Sequence, residues 1–221
     1  MKKIICFVIL SLMSFVTHSA IITGIANDLL KTDVSNDGWT IQYQGAYSGS
    51  FSWSSLLAGV DSSKYMALAS SSSDGATTYD LFAAIKVSDF LVLSTALNET
   101  QLFNGAYWYR SSGSGSVGFS PTSGIFQNSA DVCNTSLFGD PGCAGDDGSE
   151  RLSWHMSSND NVFGGWRSGL TTNLNSDSTW QRYVLLIDAP QQGPTPAPEP
   201  GSIVMIGLGL AGLVVRRRTK K

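Results

Sequence analysis

The stretch Trp39-Thr40-Ile41-Gln42-Tyr43 alternates large apolar side chains with polar ones. Successive side chains of a β-strand point to opposite faces of the sheet, so this alternation is typical of a strand with one buried face. A second segment, Tyr183–Ile187, is rich in β-branched and aromatic residues, which favour strands. Few stretches could sustain a long amphipathic helix, so the two segments predict a β-rich fold.

Runs of small and polar residues separate the predicted strands. Ser70–Ser73, Ser111–Gly118 and Asn173–Ser178 consist mainly of residues that favour turns. The apolar run Leu81–Val87 is compatible with a buried strand or with a helical turn. The pattern predicts an all-β fold, an antiparallel β-sandwich that is jelly-roll-like or concanavalin-like. The expected strands are Ile21–Ile25, Thr40–Tyr47, Tyr65–Ala69, Tyr79–Val87, Leu91–Leu93, Ala106–Arg110, Ser116–Phe119, Arg151–Met156, Phe163–Gly169 and Trp180–Asp188.

Residues 1–20 have the three regions of a secretory signal peptide. The basic start Met1-Lys2-Lys3 precedes an apolar stretch, Ile4–Val16, and small and polar residues follow up to Ala20. Small residues at the third and first positions before the cut favour cleavage after Ser19, with Ala20 as the alternative. We therefore expect export by the Sec pathway, with signal peptidase as a processing partner.

The C-terminal residues form a second three-part signal. Pro198-Glu199-Pro200 is followed by an uncharged, largely apolar segment, residues 201–215, and by the triplet Arg216-Arg217-Arg218. Clustered basic residues beside an apolar helix resist translocation, which predicts a transmembrane helix at residues 201–215 with a cytoplasmic stop at the triplet. Such a helix would span about 22 Å, less than the ~30 Å hydrocarbon core, so it suits a transient signal better than a permanent anchor.

Residues 198–221 resemble the PEP-CTERM sorting tail of Gram-negative bacteria. The resemblance rests on the order of three parts, which are Pro198-Glu199-Pro200, the Gly-rich apolar segment containing Leu208–Leu213, and Arg216–Arg218. It implies that a membrane-embedded exosortase recognises and removes the tail, so that the inner membrane holds the protein only transiently. It also implies delivery of the remaining chain to the cell surface or the extracellular matrix.

Between these ends, residues 21–190 form one predicted ectodomain, and residues 191–197 form a Pro-rich linker. Residues 21–190 contain seven Lys and Arg residues against sixteen Asp and Glu residues, a net charge of −9, whereas the whole chain has −3. A domain of this charge repels phosphate backbones and anionic lipid head groups. This argues against nucleic acids and membrane surfaces as partners of the ectodomain.

Two cysteines remain after removal of the signal peptide, Cys133 and Cys143. Thiols oxidise outside the cytoplasm, so an even pair in a loop-like segment predicts a disulfide. Closing this loop would stabilise the fold by about 2.5–3 kcal/mol through chain entropy. The alternatives, metal ligation or a reactive thiol, lack a Cys-x-x-Cys spacing and a nearby histidine.

An acidic loop after Cys133 is the candidate metal site. Carboxylates closely spaced in a Gly-containing loop suit Ca²⁺, although the spacing is not that of an EF-hand. The alternative is a solvated acidic loop held mainly by the disulfide. No other cofactor is expected. The candidate calcium ligands are Asp140, Asp146, Asp147 and Glu150.

No catalytic residue is expected. His155, the single histidine that remains after export, lies two residues after Ser153, and strand alternation places it on the sheet face opposite Trp154. A Ser-His-Asp triad would need a nucleophile elbow of the form Gly-x-Ser-x-Gly leading into a helix, which the sequence lacks. We interpret His155 as structural or merely exposed.

Aromatic residues offer a second kind of binding site. All six tryptophans of the chain lie in the predicted ectodomain, and exposed aromatic rings can stack against sugars. The alternative is that they fill the core of a chain rich in Ser and Gly, since aromatic side chains bury large areas. The candidate carbohydrate-binding residues are Tyr107, Trp108, Tyr109 and Trp166.

Three functions remain open at this point. The export signals and the lack of a catalytic constellation favour a non-catalytic surface or matrix protein, structural or adhesive in an exopolysaccharide or biofilm context. A carbohydrate-binding module would need an exposed aromatic face. A secreted glycoside hydrolase without a recognisable motif would need two carboxylates facing each other in a cleft.

Overall fold

The computed structural model describes residues 21–111, 113, 115–133, 143 and 145–190. The chain divides into two units, Met1–Pro190 and Gln191–Lys221, and the described residues all belong to the first. The predicted signal peptide, linker, sorting tail and transmembrane helix lie outside them. In the described part of the chain, no helix has both the length and the apolar character needed to cross a membrane.

Strands dominate the described residues, with three short helices between them. The strands are β1 (Ile25–Leu30), β2 (Thr40–Ala46), β3 (Phe51–Ser52), β4 (Tyr65–Ser71), β5 (Thr78–Lys86), β6 (Gln101–Phe103), β7 (Ala106–Arg110), β8 (Ser116–Ser120), β9 (Leu152–Met156), β10 (Asn161–Ser168) and β11 (Gln181–Ile187). The helices are α1 (Lys31–Asn36), α2 (Trp53–Leu56) and α3 (Val87–Leu91), and a 3₁₀ turn covers Leu174–Ser176.

The strands form two antiparallel sheets. The first sheet has five strands in the order β1-β5-β4-β11-β2, and the second has six in the order β3-β10-β9-β8-β7-β6. Strands β6 to β10 of the second sheet are neighbours both in sequence and in space, which is the arrangement of a meander. The prediction of an all-β antiparallel fold is confirmed at the level of two antiparallel sheets.

One apolar core lies between the two sheets. Inward-facing residues alternate along the strands, as Met66 and Leu68 do in β4 and Leu152, Trp154 and Met156 do in β9. The two sheets therefore form a sandwich. Other buried members of this core include Leu81, Ala83, Ile85, Val184 and Leu186 from the first sheet and Ala106, Trp108, Val117, Phe119 and Val162 from the second.

A second apolar cluster lies on the outer face of the first sheet. Helix α1 places Val34 there, and Trp39 packs edge-on against Phe82 with ring centroids 5.2 Å apart. Tyr79 and Tyr183 belong to the same cluster. The central strands β4 and β11 are therefore buried on both faces, and almost every residue in them is apolar or small.

Arg182 of β11 lies within the core between the sheets. Its guanidinium is 5.5–5.8 Å from the ring centroids of Tyr47, Phe51 and Trp154, and its Nη2 donates to the carbonyl oxygens of Ala46 (3.3 Å) and Gly49 (2.9 Å). Burial lowers the pKa of Arg182 from its ordinary value. Aromatic faces and backbone carbonyls thus surround this charge.

Two predicted strands are wrong, and three observed strands, β1, β3 and β6, have no counterpart in the prediction beyond the overlap of β1 at Ile25. Residues 21–24 are not a strand, because Gly24 adopts a positive φ of 79° and β1 begins only at Ile25. Residues 91–93 are not a strand either, because α3 buries Val87 and Phe90 at helical spacing. Strands β3 and β6 have two and three residues, which is too short to produce a period in the sequence.

Gly118 allows β8, β9 and a tyrosine to meet closely. A Cβ at this position would lie 1.8 Å from the backbone oxygen of Leu152 and 2.9 Å from the hydroxyl oxygen of Tyr109. That hydroxyl donates to the same Leu152 oxygen at 2.7 Å. The missing side chain therefore makes room for a buried hydrogen bond as well as for strand pairing.

We predict that Gly118→Ala lowers the free energy of unfolding by about 3 kcal/mol, because the added methyl group forces the strand and the tyrosine apart. Urea unfolding measures the effect. Gly75→Ala is the matched control, since a Cβ there meets nothing within 4 Å. Equal stability of the two variants would contradict the close packing at Gly118.

Candidate functional site

The connection between β8 and β9, residues 121–151, covers the outer face of the second sheet in its described part. Strand β8 and Ser153 of β9 present small side chains there, and polar atoms of the connection bind them. The side-chain nitrogen of Gln127 donates to Ser116 Oγ at 2.6 Å, and the backbone N–H of Asp131 donates to Ser153 Oγ at 3.2 Å. The Ser and Gly content of these strands therefore creates a docking face for the connection.

A buried ion pair fixes this connection. Arg151 and Asp131 have side chains with 0% exposure, and Arg151 Nη1 lies 2.8 Å from Asp131 Oδ2. Arg151 also pairs with Asp146 and donates to Thr122 Oγ1 at 3.0 Å. Burial alone would lower the pKa of Arg151, but the carboxylates of Asp131 and Asp146 raise it above its ordinary value.

A second buried arginine supports the predicted disulfide. Cys133 and Cys143 are joined, with Cα atoms 5.2 Å apart, which confirms that prediction. Arg167 of β10 donates to the carbonyl oxygens of Cys133, Gly169 (3.1 Å) and Gly148 (3.4 Å). The disulfide loop is therefore tied to β10 as well as to β9.

The candidate calcium ligands within the described residues bind protein groups. Asp146 accepts from Arg151 and from the backbone of Gly148, Asp147 accepts from the backbone of Ser149, and Glu150 accepts from Asn27 Nδ2 at 3.2 Å. No cluster of three metal-ligating side chains occurs among the described residues. Asp140 lies outside them, and calcium binding stays a prediction.

The structure separates the four candidate carbohydrate-binding residues. Trp108 and Tyr109 are buried, and each donates a hydrogen bond to a backbone oxygen, of Phe103 at 3.2 Å and of Leu152 at 2.7 Å. Their rings have no face free for a sugar, so the prediction is wrong for these two. Tyr107 is partly buried. Trp166 is also partly exposed, and it lines a pocket.

That pocket is the candidate functional site. It is open to solvent, has a volume of about 460 Å³ and lies on the outer side of strands β9 and β10, beside the β8–β9 connection. Its described lining combines aromatic rings with neutral hydrogen-bonding groups and contains no carboxylate, lysine or arginine. The lining residues are Ser129, His155, Met156, Ser157, Phe163, Trp166 and Asn175.

Two β-bulges in β10 create the aromatic wall. Along the pairing with β9, the register shifts between Val162 and Gly164 and again between Gly165 and Arg167. Phe163 and Trp166 are the extra residues of these two bulges. A bulge redirects side chains, and both rings flank His155, at centroid distances of 5.3 Å and 5.7 Å.

His155 is held in one tautomer. Its Nδ1 lies 2.8 Å from the backbone oxygen of Ser129. A carbonyl oxygen can only accept, so Nδ1 carries the proton and Nε2 of the neutral ring is an acceptor. Burial lowers the pKa of His155, the hydrogen bond to the Ser129 carbonyl raises it by less than burial lowers it, and the positive charge of Arg182 adds a smaller lowering. The ring is therefore neutral at pH 7.

Sequence reasoning identified Trp166 in this site but not Phe163 or the role of His155. Phe163 and Trp166 are three positions apart in the sequence, which places them on opposite faces of a regular strand. The Gly164-Gly165 pair between them was the available signal, since glycine inside a strand often marks a bulge.

We predict that Asp131→Asn lowers the free energy of unfolding by about 3 kcal/mol, because it leaves the buried Arg151 without its fully buried counter-charge. Asp188→Asn is the control, since its ion pair with Lys64 is at the surface, with Asp188 78% exposed, and removing it costs less than about 1 kcal/mol. Chemical denaturation compares the two. Similar losses would contradict a dominant role of the buried pair.

We also predict a pH dependence from His155. The unfolded chain binds a proton near pH 6.5, but the folded chain does so only at lower pH, because the pKa of His155 is lowered. The stabilising contribution is complete above pH 6.5 and falls as the pH drops below that value through the folded pKa. An NMR titration of the single histidine of the exported chain measures it. A titration midpoint of His155 at or above pH 6.5 would contradict the lowered pKa.

Comparison with protein-family models finds the PEP-CTERM protein-sorting motif at residues 196–218. Comparison with curated proteins and with solved structures gives no match. The family match covers the predicted sorting motif, the apolar segment and the arginine triplet, and it confirms the resemblance of the tail. The chain thus carries a PEP-CTERM protein-sorting motif at its C-terminal end, which implies processing by an exosortase and a destination at the cell surface.

Proposed function

We propose that the chain is an exported, non-catalytic surface or extracellular-matrix protein, in which the β-sandwich is the portion delivered by an exosortase system. The observation that carries this proposal is the sorting motif at residues 196–218. The predicted signal peptide at residues 1–20 supplies the matching entry into the Sec pathway. Signal peptidase cleaves first and exosortase second. Between these two steps, residues 201–215 keep the chain in the inner membrane.

The delivered domain has properties that support an extracellular role. The domain contains the Cys133–Cys143 disulfide. Disulfides persist in oxidising compartments and are rare in cytoplasmic proteins. Two buried arginines hold the disulfide loop to the sheet. We propose that this domain is structural or adhesive within an exopolysaccharide or biofilm matrix.

Carbohydrate binding is the second candidate function, and the pocket at His155 favours it. Phe163 remains 48% exposed, and exposed aromatic rings are what a carbohydrate-binding module needs. No comparable observation favours a glycoside hydrolase. A smaller pocket of about 270 Å³ beside Trp53 and Arg110 has one carboxylate, Asp160, in its described lining, whereas glycoside hydrolysis uses two.

We predict that the protein recovered from the cell surface lacks the C-terminal part of its tail. Replacement of Pro198, Glu199 and Pro200 by alanine is expected to leave the tail in place and to retain the chain in the membrane fraction, because the processing enzyme no longer recognises it. Intact mass spectrometry distinguishes the two forms.

The matched control is Pro194→Ala, which changes the neighbouring linker and leaves the motif intact. Cells without exosortase should give the same uncleaved form as the motif variant. A complete tail on wild-type protein in cells that contain the enzyme would overturn the sorting proposal.

A further inference from the structure

We propose that the pocket formed by His155, Phe163 and Trp166 binds a neutral glycan chain, in which one pyranose ring stacks on the exposed face of Phe163 and a neighbouring sugar residue donates a hydroxyl to His155 Nε2. This inference rests on the carbohydrate-binding candidate described above and specifies the class of sugar and the residues that recognise it.

The stacking surface is the Phe163 ring. The His155 ring lies parallel to it, with an interplanar angle of 21° and a centroid distance of 5.3 Å, and so covers one of its faces. The exposed part of Phe163 is therefore the opposite face and the ring edge. A bulky apolar side chain on the outer face of β10 gains nothing from such exposure in the isolated domain, and a pyranose ring offers a flat apolar C–H face to cover it.

Fixed polar groups surround this surface. The hydrogen bond from His155 Nδ1 to the Ser129 carbonyl leaves Nε2 as an acceptor with a defined orientation. The indole nitrogen of Trp166 is buried without a hydrogen-bond partner among the described residues. Ser157 and Asn175 add a hydroxyl and an amide to the described lining. Aromatic rings with a few placed polar groups are the usual composition of small-molecule sites of this volume.

The charges of the pocket lining and of the domain indicate which class of sugar fits the pocket. The described lining has no arginine or lysine to pair with a uronate or a sulfated sugar, and residues 21–190 carry a net charge of −9 that repels polyanions. Among the described residues of the lining, no carboxylate is present to pair with an amino sugar or a quaternary ammonium group. The parallel His155 and Phe163 rings also cover each other, so they do not enclose a cation as an aromatic cage does. A neutral sugar is the ligand that this chemistry fits.

The test measures binding of the exported protein by isothermal titration calorimetry to neutral hexasaccharides of glucose, galactose, mannose and xylose, to hexagalacturonate, and to tetramethylammonium. We expect at least one neutral hexasaccharide to bind and the other two probes not to bind. Phe163→Ala should weaken that binding about tenfold through loss of stacking. His155→Asn keeps a donor to Ser129 but removes the Nε2 acceptor, and it should weaken binding by a similar factor.

The control is Leu170→Ala, which removes a 62% exposed apolar side chain outside the described lining. It should bind like the wild type. Circular dichroism and urea unfolding verify that Phe163→Ala and His155→Asn are folded, and an NMR shift of the His155 ring on adding sugar reports contact directly.

The inference is overturned if no neutral hexasaccharide binds, if hexagalacturonate or tetramethylammonium binds instead, or if Phe163→Ala binds like Leu170→Ala. These outcomes are independent of the sorting proposal, which intact mass tests separately. If the protein is processed but binds no sugar, the surface-protein proposal stands and the proposed sugar site is refuted. If the protein is not processed but binds a neutral sugar at His155, the sugar site is supported and the sorting proposal is refuted.

Discussion

The ion pair between Arg151 and Asp131 is the interaction on which the rest of the outer site depends. Both side chains are fully buried, and a buried charge is tolerated only when its partners are in place. The pair therefore requires the β8–β9 connection to stay on the sheet. Ser129 is two residues before Asp131 in that connection, and its carbonyl sets the tautomer of His155. A structural ion pair thus determines the chemistry of a solvent-facing pocket.

The sequence predicts what local patterns determine. Alternation predicts the position of β2 but not its buried face, since Ile41 is 52% exposed. The compartment and pairing of two cysteines predict the disulfide. Whether a strand is buried on both faces of its sheet depends on residues far away in the sequence. Trp108 and Tyr109 point to opposite faces of β7, and strand alternation suggests that one of them is exposed, but the core covers one and packing on the outer face covers the other. The three buried arginines are equally invisible, since a charged residue in a strand ordinarily indicates a solvated face.

Destination and activity are encoded in different parts of this chain. The C-terminal end carries a short sorting motif and the N-terminal end a predicted signal peptide, and in both the order of residue types is sufficient to identify the segment. The surface proposed for binding in the domain between them is built from two bulges, a connection and a histidine. No contiguous motif describes that surface, which explains why the tail matches a family model while the pocket becomes apparent only in three dimensions.

The bulges at Phe163 and Trp166 have a further consequence for how this site can change over evolutionary time. Both rings occupy positions that have no direct partner on β9, whereas the core-facing Val162 and the buried Arg167 beside them remain in register. Substitutions at the two bulge positions therefore leave the ladder and the core packing intact. If the pocket binds the proposed ligand, changes at these two positions alone would alter its ligand preference on an unchanged scaffold.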